Sequence, residues 1–170
     1  HAIRTAAAAI AEMPMGRIGD DTTINVGQIE GGRASNIVPD YCEVSGELRS
    51  FSHEKALEEL LKVEQIFEEE AKKRGGSTEF IRDICYQAYK TDENESVVKE
   101  FQRACAACGI KSSLIATFGG SDQNKMSEHG IPGIVMASAM HQVHSCQEYT
   151  EVPEMAEVAE IVSELLQMTE

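Results

Sequence analysis

The order of hydrophobic periods constrains this chain most. Ala2–Met13 carries Ile3, Ala6, Ala7, Ile10 and Met13 at helical spacing, and Pro14 and Gly16 stop it. Thr22–Ile29 is rich in Thr, Ile and Val and reads as a strand, broken by Gly31-Gly32. Tyr41–Phe51 alternates. Cys42, Val44, Gly46 and Leu48 fall on one side, toward a core, and Glu43, Glu47 and Arg49 fall on the other, toward water or a ligand. Ser52 is placed to cap a helix over Ala56–Ala71, with the stripe Leu57, Leu60, Leu61, Val63, Ile66 and Phe67. Lys72, Lys73 and Arg74 fall in its last turn, where cations suit the helix dipole, and Gly75-Gly76 ends it. A further strand is expected within Ser77–Tyr89.

Helix, strand, strand, helix, strand is the ferredoxin-like α+β pattern, βαββαβ, without its first strand. A natural domain lacking that strand has an unpaired edge. The chain also opens on His1 with no Met. The expectation is therefore a piece of a longer polypeptide. After Tyr89 the composition changes. Thr91–Glu95 is a polar linker, with Asp92 and Glu95 at capping-box spacing. Val97, Val98, Phe101, Cys105 and Cys108 form a helical stripe ending at Gly109. An apolar strand is expected over Ser113–Phe118, a tight turn at Gly119-Gly120-Ser121-Asp122, a short helix, and a strand over Ile134–Ala137. A last helix starts at Pro153. This is an α/β layout with a parallel sheet expected. Length alone suggests roughly one domain. The pattern instead divides the 170 residues into two incomplete ones, 1–88 and 89–170.

Charge and cysteines exclude several classes. Acidic residues number 29 against 15 basic ones, a formal net charge of −14, which repels phosphate backbones. No nucleic-acid partner is expected. No apolar run is long enough to span a bilayer, and no charged-then-apolar leader opens the residues given, so neither a membrane nor a secretory route is expected. Five irregularly spaced cysteines do not form a disulfide framework. With the acidity, they point to a reducing, cytoplasmic location.

Spacing by itself identifies few chemical groups. Cys105-Ala-Ala-Cys108 has no second pair for a zinc ribbon, and it lies at a helix C-terminus where a redox motif would sit at the N-terminus. It reads as part of a packed helix face. His53 and His129 sit among charged residues. His141 precedes His144 by three residues, so the two could share a metal, although a solvated or supporting role suits His141 better. The Gly-Gly-Ser-Asp turn after a strand can turn its amides toward a cleft. His144 is either an ordinary loop histidine or a zinc ligand with Glu148 as orienting group. Arg49 is either paired with Glu43 or Glu47 along its own strand or free to fork a carboxylate.

The stretch Thr117–Thr150, TFGGSDQNKMSEHGIPGIVMASAMHQVHSCQEYT, resembles the C-terminal signature of the di-zinc aminopeptidase, carboxypeptidase and deacylase superfamily. The matching parts are Gly119-Gly120-Ser121-Asp122, Gly130-Ile131-Pro132, and His144-Ser145 with Glu148. Gly31–Pro39 is similar to its GGxxxNIVP stretch, and Glu47-Leu48-Arg49-Ser50 to the strand that follows. Gly16-Arg17-Ile18 through Gly31-Gly32 is most similar to peptidase T-like enzymes.

The resemblance implies a lid over residues 1–88 that also makes a homodimer, then the C-terminal part of a zinc-peptidase catalytic domain over 89–170. It implies His144 as a zinc ligand in a two-zinc site that activates a water for attack on an amide. It implies Asn36 and Arg49 at the substrate's carboxylate end and the Gly119, Gly120 and Ser121 backbone lining the pocket. Gln123 stands where Ala is usual, which is expected to narrow the pocket. Cys146-Gln147 and Met140 also depart from the pattern. The other zinc ligands and the general base, a His-x-Asp motif, a bridging Asp and a Glu-Glu pair, belong to an N-terminal segment that these residues do not include. No catalytic residue is therefore assigned, and the chain alone is expected to be inactive. The expected full protein is a metallopeptidase acting on a small peptide. The alternatives are a deacylase or carboxypeptidase acting on an N-acyl amino acid or peptide, and a non-catalytic dimerisation or ligand-binding module.

Overall fold

The structure is a computed structural model that describes residues 1–167. It divides into two compact units, His1–Ala88 and Tyr89 onward. Together they are mixed α and β, with a small sheet and five helices among the described residues.

In the first unit, helix α1 (Ala2–Glu12) precedes strands β1 (Gly16–Ile18), β2 (Thr22–Gly31) and β3 (Cys42–Ser50), and helix α2 (His53–Lys73) follows. The strands are antiparallel in the order β1-β2-β3. Strand β1 has no apolar alternation, and the hairpin it forms with β2 is set by Gly19 at φ 62°, in the turn. Along β2 the alternation is real. Ile24 is buried and Val26 half-buried, and Asn25 between them is exposed. Gly27 is an extra residue: Val26 pairs with Gly46 and Gln28 with Ser45. The core is Met13 from the end of α1, Ile24 from β2 and Val63 from α2, with Leu48, Ile66, Phe67 and Phe80 against it.

Helix α2 forms as the sequence dictates. The Ser52 side chain accepts from the Lys55 amide, and Gly75 at φ 70° ends the helix as its amide donates to the Lys72 carbonyl. The almost buried Glu70 carboxylate accepts from Lys73 Nζ (2.8 Å) and Arg74, and these bonds hold its pKa below the ordinary carboxylate range.

The strand expected within Ser77–Tyr89 does not form. A strand exists only by pairing, and no described strand is hydrogen-bonded to this segment in a ladder. Its side chains still dock: Phe80 packs 6.5 Å from the Phe67 ring, and Arg82 pairs with Glu64 of α2.

The second unit holds α3 (Ser96–Ala107), α4 (Asp122–Glu128), the two-residue strands β4 (Met140–His141) and β5 (Tyr149–Thr150), and α5 (Val152–Gln167). Helix α3 packs on α5 through Ala104, Cys105 and Ile161, all buried, with Phe101, Met136 and Leu165 around them. Ala104 is fully enclosed, so the helices meet at a small residue. Gly109 at φ 72° closes α3, and the Ile110 amide reaches back to the Cys105 carbonyl at 2.8 Å. Three expectations are corrected. Ser113–Phe118 and Ile134–Ala137 form no strands, so no parallel sheet forms among the described residues, where every ladder is antiparallel. Apolar β-branched runs form a strand only where a neighbouring strand accepts their ladder. The Asp92–Glu95 capping box is also absent. Glu95 itself is the N-cap residue, and Asp92 instead turns the linker by accepting from the Asn94 amide at 2.7 Å. No described helix is long and apolar enough to cross a membrane.

Candidate functional site

The candidate residues fall in both units. In the first, Asn36 lies in the loop from Gly32 to Tyr41 that joins β2 to β3. Gly32 at φ 81° turns the chain off β2. The Ala2 amide donates to the Pro39 carbonyl at 2.8 Å, and Ile37 folds back on Ala34, so α1 anchors the loop while Asn36 stays exposed. Arg49 projects from β3 beside Glu47, and its guanidinium donates through Nε (3.0 Å) and one terminal nitrogen (2.9 Å) to the two Glu47 oxygens. This fork raises the Arg49 pKa. Of the two arrangements the sequence left open for Arg49, the structure holds the pair along its own strand. An incoming carboxylate has to exchange with Glu47 for the same fork.

In the second unit, Ser121 is the N-cap of α4. Its amide donates to the Asn124 side-chain oxygen at 2.9 Å, and the buried Asn124 locks the start of the helix. The Gly119 amide is turned onto Thr117 Oγ1 at 3.1 Å. Gly119 and Gly120 are exposed, so their backbone is open to a ligand. Gln123 reaches away from that turn: its side-chain nitrogen donates to the Ile131 carbonyl at 3.0 Å, and its amide lies over the buried Gly133.

His144 sits at the crest of the β4–β5 hairpin, exposed, with φ 64°. Gln142 and Ala139 also have positive φ, at 49° and 59°, and these three are the non-glycine residues in that region among those described. Such a conformation costs of order 1–3 kcal/mol at each residue and persists only where its surroundings enforce it. Here the Ser145 hydroxyl donates to the Gln142 carbonyl (2.7 Å), and the His144 amide donates to Glu148 Oε2 (2.8 Å). Glu148 therefore fixes the His144 backbone, where sequence reading had offered it to the imidazole. His141 pairs with Glu154 of α5 at 2.5 Å and stacks on Tyr149 with ring centroids 4.8 Å apart. Neither Glu154 nor Tyr149 carries a sequence signal, because seven residues separate β4 from β5 and no turn motif marks the hairpin.

Among the described residues, no group of three or more His, Cys, Asp or Glu side chains is placed to hold a metal ion. His144 can supply one imidazole donor, and a zinc site needs at least three protein ligands. Cys105 is buried and Cys108 half-buried, and desolvation raises both thiols' pKa values, as packed helix residues require.

The fold and these residues define a class, an α/β unit built on a three-stranded antiparallel sheet, followed in the chain by a helical unit that presents a histidine on a strained hairpin. Residues 1–75 match the peptidase dimerisation domain, M20_dimer. The chain is thus similar to peptidases of the M20 superfamily. Over 166 residues it is 36% identical to the uncharacterized protein YqjE of Bacillus subtilis, covering 98% of this chain and 45% of that protein. It is also similar to the crystal structure of aminopeptidase PepT from Bacillus cereus, at 37% identity and a TM-score of 0.85, covering 97% of this chain and 44% of that one. A Staphylococcus aureus tripeptidase superposes at a TM-score of 0.91 with 30% identity, covering 98% and 44%. The Bacillus subtilis YXEP protein, a dinuclear metal binding peptidase from the M20 family, superposes at 0.76 with 18% identity, covering 99% and 46%, a likeness of fold alone. The chain thus spans less than half the length of each relative.

Proposed function

We propose that this chain is the lid and C-terminal catalytic portion of a zinc-dependent, peptidase T-like enzyme that hydrolyses a small peptide. The observation that carries the reading is the 37% identity to an aminopeptidase over 97% of this chain, at a TM-score of 0.85. In this reading His144 is one zinc ligand. A neutral imidazole suits the metal, and the hairpin strain around it is the kind that collects at functional sites. Bound zinc supplies Lewis-acid chemistry at an amide carbonyl. Asn36 and Arg49 hold the substrate's carboxylate end, with Arg49 released from Glu47, and the backbone of the exposed Gly119 and Gly120 and the half-buried Ser121 lines the pocket. The first unit makes the homodimer, and the enzyme is cytoplasmic.

A second reading has a specific observation behind it. The model matched over residues 1–75 is described by dimerisation alone, and a non-catalytic dimerisation module accommodates that.

The test is a substrate panel on the complete gene product, with metal analysis. Tripeptides, N-acyl amino acids and carboxypeptidase substrates are assayed before and after chelation. Zinc-dependent tripeptide hydrolysis is expected, and His144→Ala is expected to lose about a hundredfold or more, since a catalytic metal contributes several kcal/mol. Unchanged hydrolysis in His144→Ala removes the zinc reading. Hydrolysis confined to N-acyl amino acids moves the protein to the deacylases, and none at all favours the module.

A further inference from the structure

We infer that His141 and Glu154 are positioning residues for His144, a brace that fixes the strained hairpin to helix α5. The ladder between β4 and β5 has two residue pairs, Met140 with Thr150 and His141 with Tyr149. A hairpin that short is not stable by itself. The loop it carries is also the most strained backbone described, with Gln142 and His144 both at positive φ and Ala139 just before β4. Something outside the ladder has to enforce that shape.

Part of the support is internal. Thr150 Oγ1 donates to the Ala139 carbonyl at 2.6 Å, and the Gln147 amide donates to Ser145 Oγ at 3.1 Å. These bonds shape the loop but move with it. The bond between His141 Nε2 and Glu154 Oε2 does not. Glu154 lies in the first turn of α5, whose Ile161 is buried against α3. His141 is the last residue of β4, directly before the first strained loop residue. Its ring is held twice, at its edge by Glu154 and on its face by Tyr149, 4.8 Å away and tilted by 16°. The imidazole cannot turn without losing both contacts, so the end of β4 stays in register with the helix. His144 follows three residues later.

The brace is a property of the chain, and its use at a metal rests on the reading of His144 proposed above. The test therefore has two readouts. Amide hydrogen exchange is measured by NMR on the labelled chain, at His144 and at Ile161 as a core reference. Glu154→Ala is expected to speed exchange at His144 by about tenfold or more and to leave Ile161 unchanged, a size set by loss of a charge-assisted hydrogen bond. Glu154→Gln, which keeps an acceptor, is expected to restore most of the protection. Tyr149→Leu removes the stack alone and is expected to give a smaller increase, which keeps the test open if Glu154→Ala fails to fold. Exchange at His144 within about twofold of the parent in Glu154→Ala, or no rescue by Gln, overturns the brace. The second readout is zinc affinity of the complete gene product, by chelator competition, expected to fall by about ten- to a hundredfold in Glu154→Ala. If exchange responds while His144→Ala leaves zinc affinity unchanged, the brace stands and the ligand reading of His144 is the part that falls.

Discussion

Gly46 is the tightest point in the sheet that carries Arg49. A methyl group built on its Cα would lie 2.6 Å from the Asn25 carbonyl oxygen and 3.6 Å from the Val26 Cα. Carbon and oxygen of neighbouring strands normally approach to about 3.3–3.6 Å. Both neighbours are backbone, so no rotamer relieves the overlap, and β2 and β3 must separate by about 0.7 Å where their register already shifts. Overpacking of this kind costs about 1–3 kcal/mol. Gly27 is the internal control. It is the extra residue of the same bulge, yet a methyl there would meet nothing closer than 3.9 Å. Gly27→Ala is expected to lie within about 0.5 kcal/mol of the parent, with a small gain available from reduced unfolded-chain entropy. Calorimetry on the whole chain separates the two. For a unit of this size about 2 kcal/mol lowers Tm by roughly 8–16 °C, so the first unit of Gly46→Ala melts early and that of Gly27→Ala does not. If Gly46→Ala melts within about 2 °C of the parent, or below Gly27→Ala in severity, the close approach at Gly46 is not what limits this ladder.

Two further outcomes follow from the side-chain chemistry. The hydrogen bond from Lys55 holds the Asp21 carboxyl below its ordinary pKa, and the same bond raises Lys55. Asp21's contribution is present above its unfolded value of about 3.9 and is lost as pH falls through the lower folded value, while Lys55's is present below about 10.4 and lost as pH rises through its raised one. Urea midpoints measured from about pH 2 to 7 should therefore fall less steeply on the acid side in Asp21→Asn, with Glu70 and Asp92 still contributing to the slope, and an identical acid limb would contradict the assignment. Thiol labelling should rank the cysteines by burial: Cys85 and Cys146 first, Cys42 and Cys108 more slowly because burial raises both thiols, and Cys105 only on unfolding. Early labelling of Cys105 would place it at a surface.

The helices were legible because each carries its own instructions. Ser52 and Gly75 bracket α2, Gly109 closes α3, and both apolar stripes repeat over several turns. Strands β2 and β3 were legible because alternate residues of each turn toward the core and each has the other as partner. Ser77–Tyr89, Ser113–Phe118 and Ile134–Ala137 have the same composition as strands and form none. Composition reports that a segment tolerates a ladder, and the ladder also needs a neighbour that composition does not name. β1 is the converse. Gly16-Arg-Ile has no pattern to read, and it is a strand because the Gly19 turn lays it against β2.

The site divides along the same line. Arg49 could be placed on a strand face from alternation alone, and Glu47 could be named as its neighbour two residues away, so the observed fork was within reach of sequence. The hairpin around His144 was not. Positive φ is announced by glycine, and this loop puts Gln and His there instead. What makes those angles tolerable is a set of contacts between residues four to thirteen positions apart, of which Glu148 to His144 and Glu154 to His141 matter most. No periodicity links such pairs. The strain is thus the informative observation. A loop that could have used glycine at low cost keeps the His144 backbone in a left-handed conformation and surrounds it with bonds that hold it there.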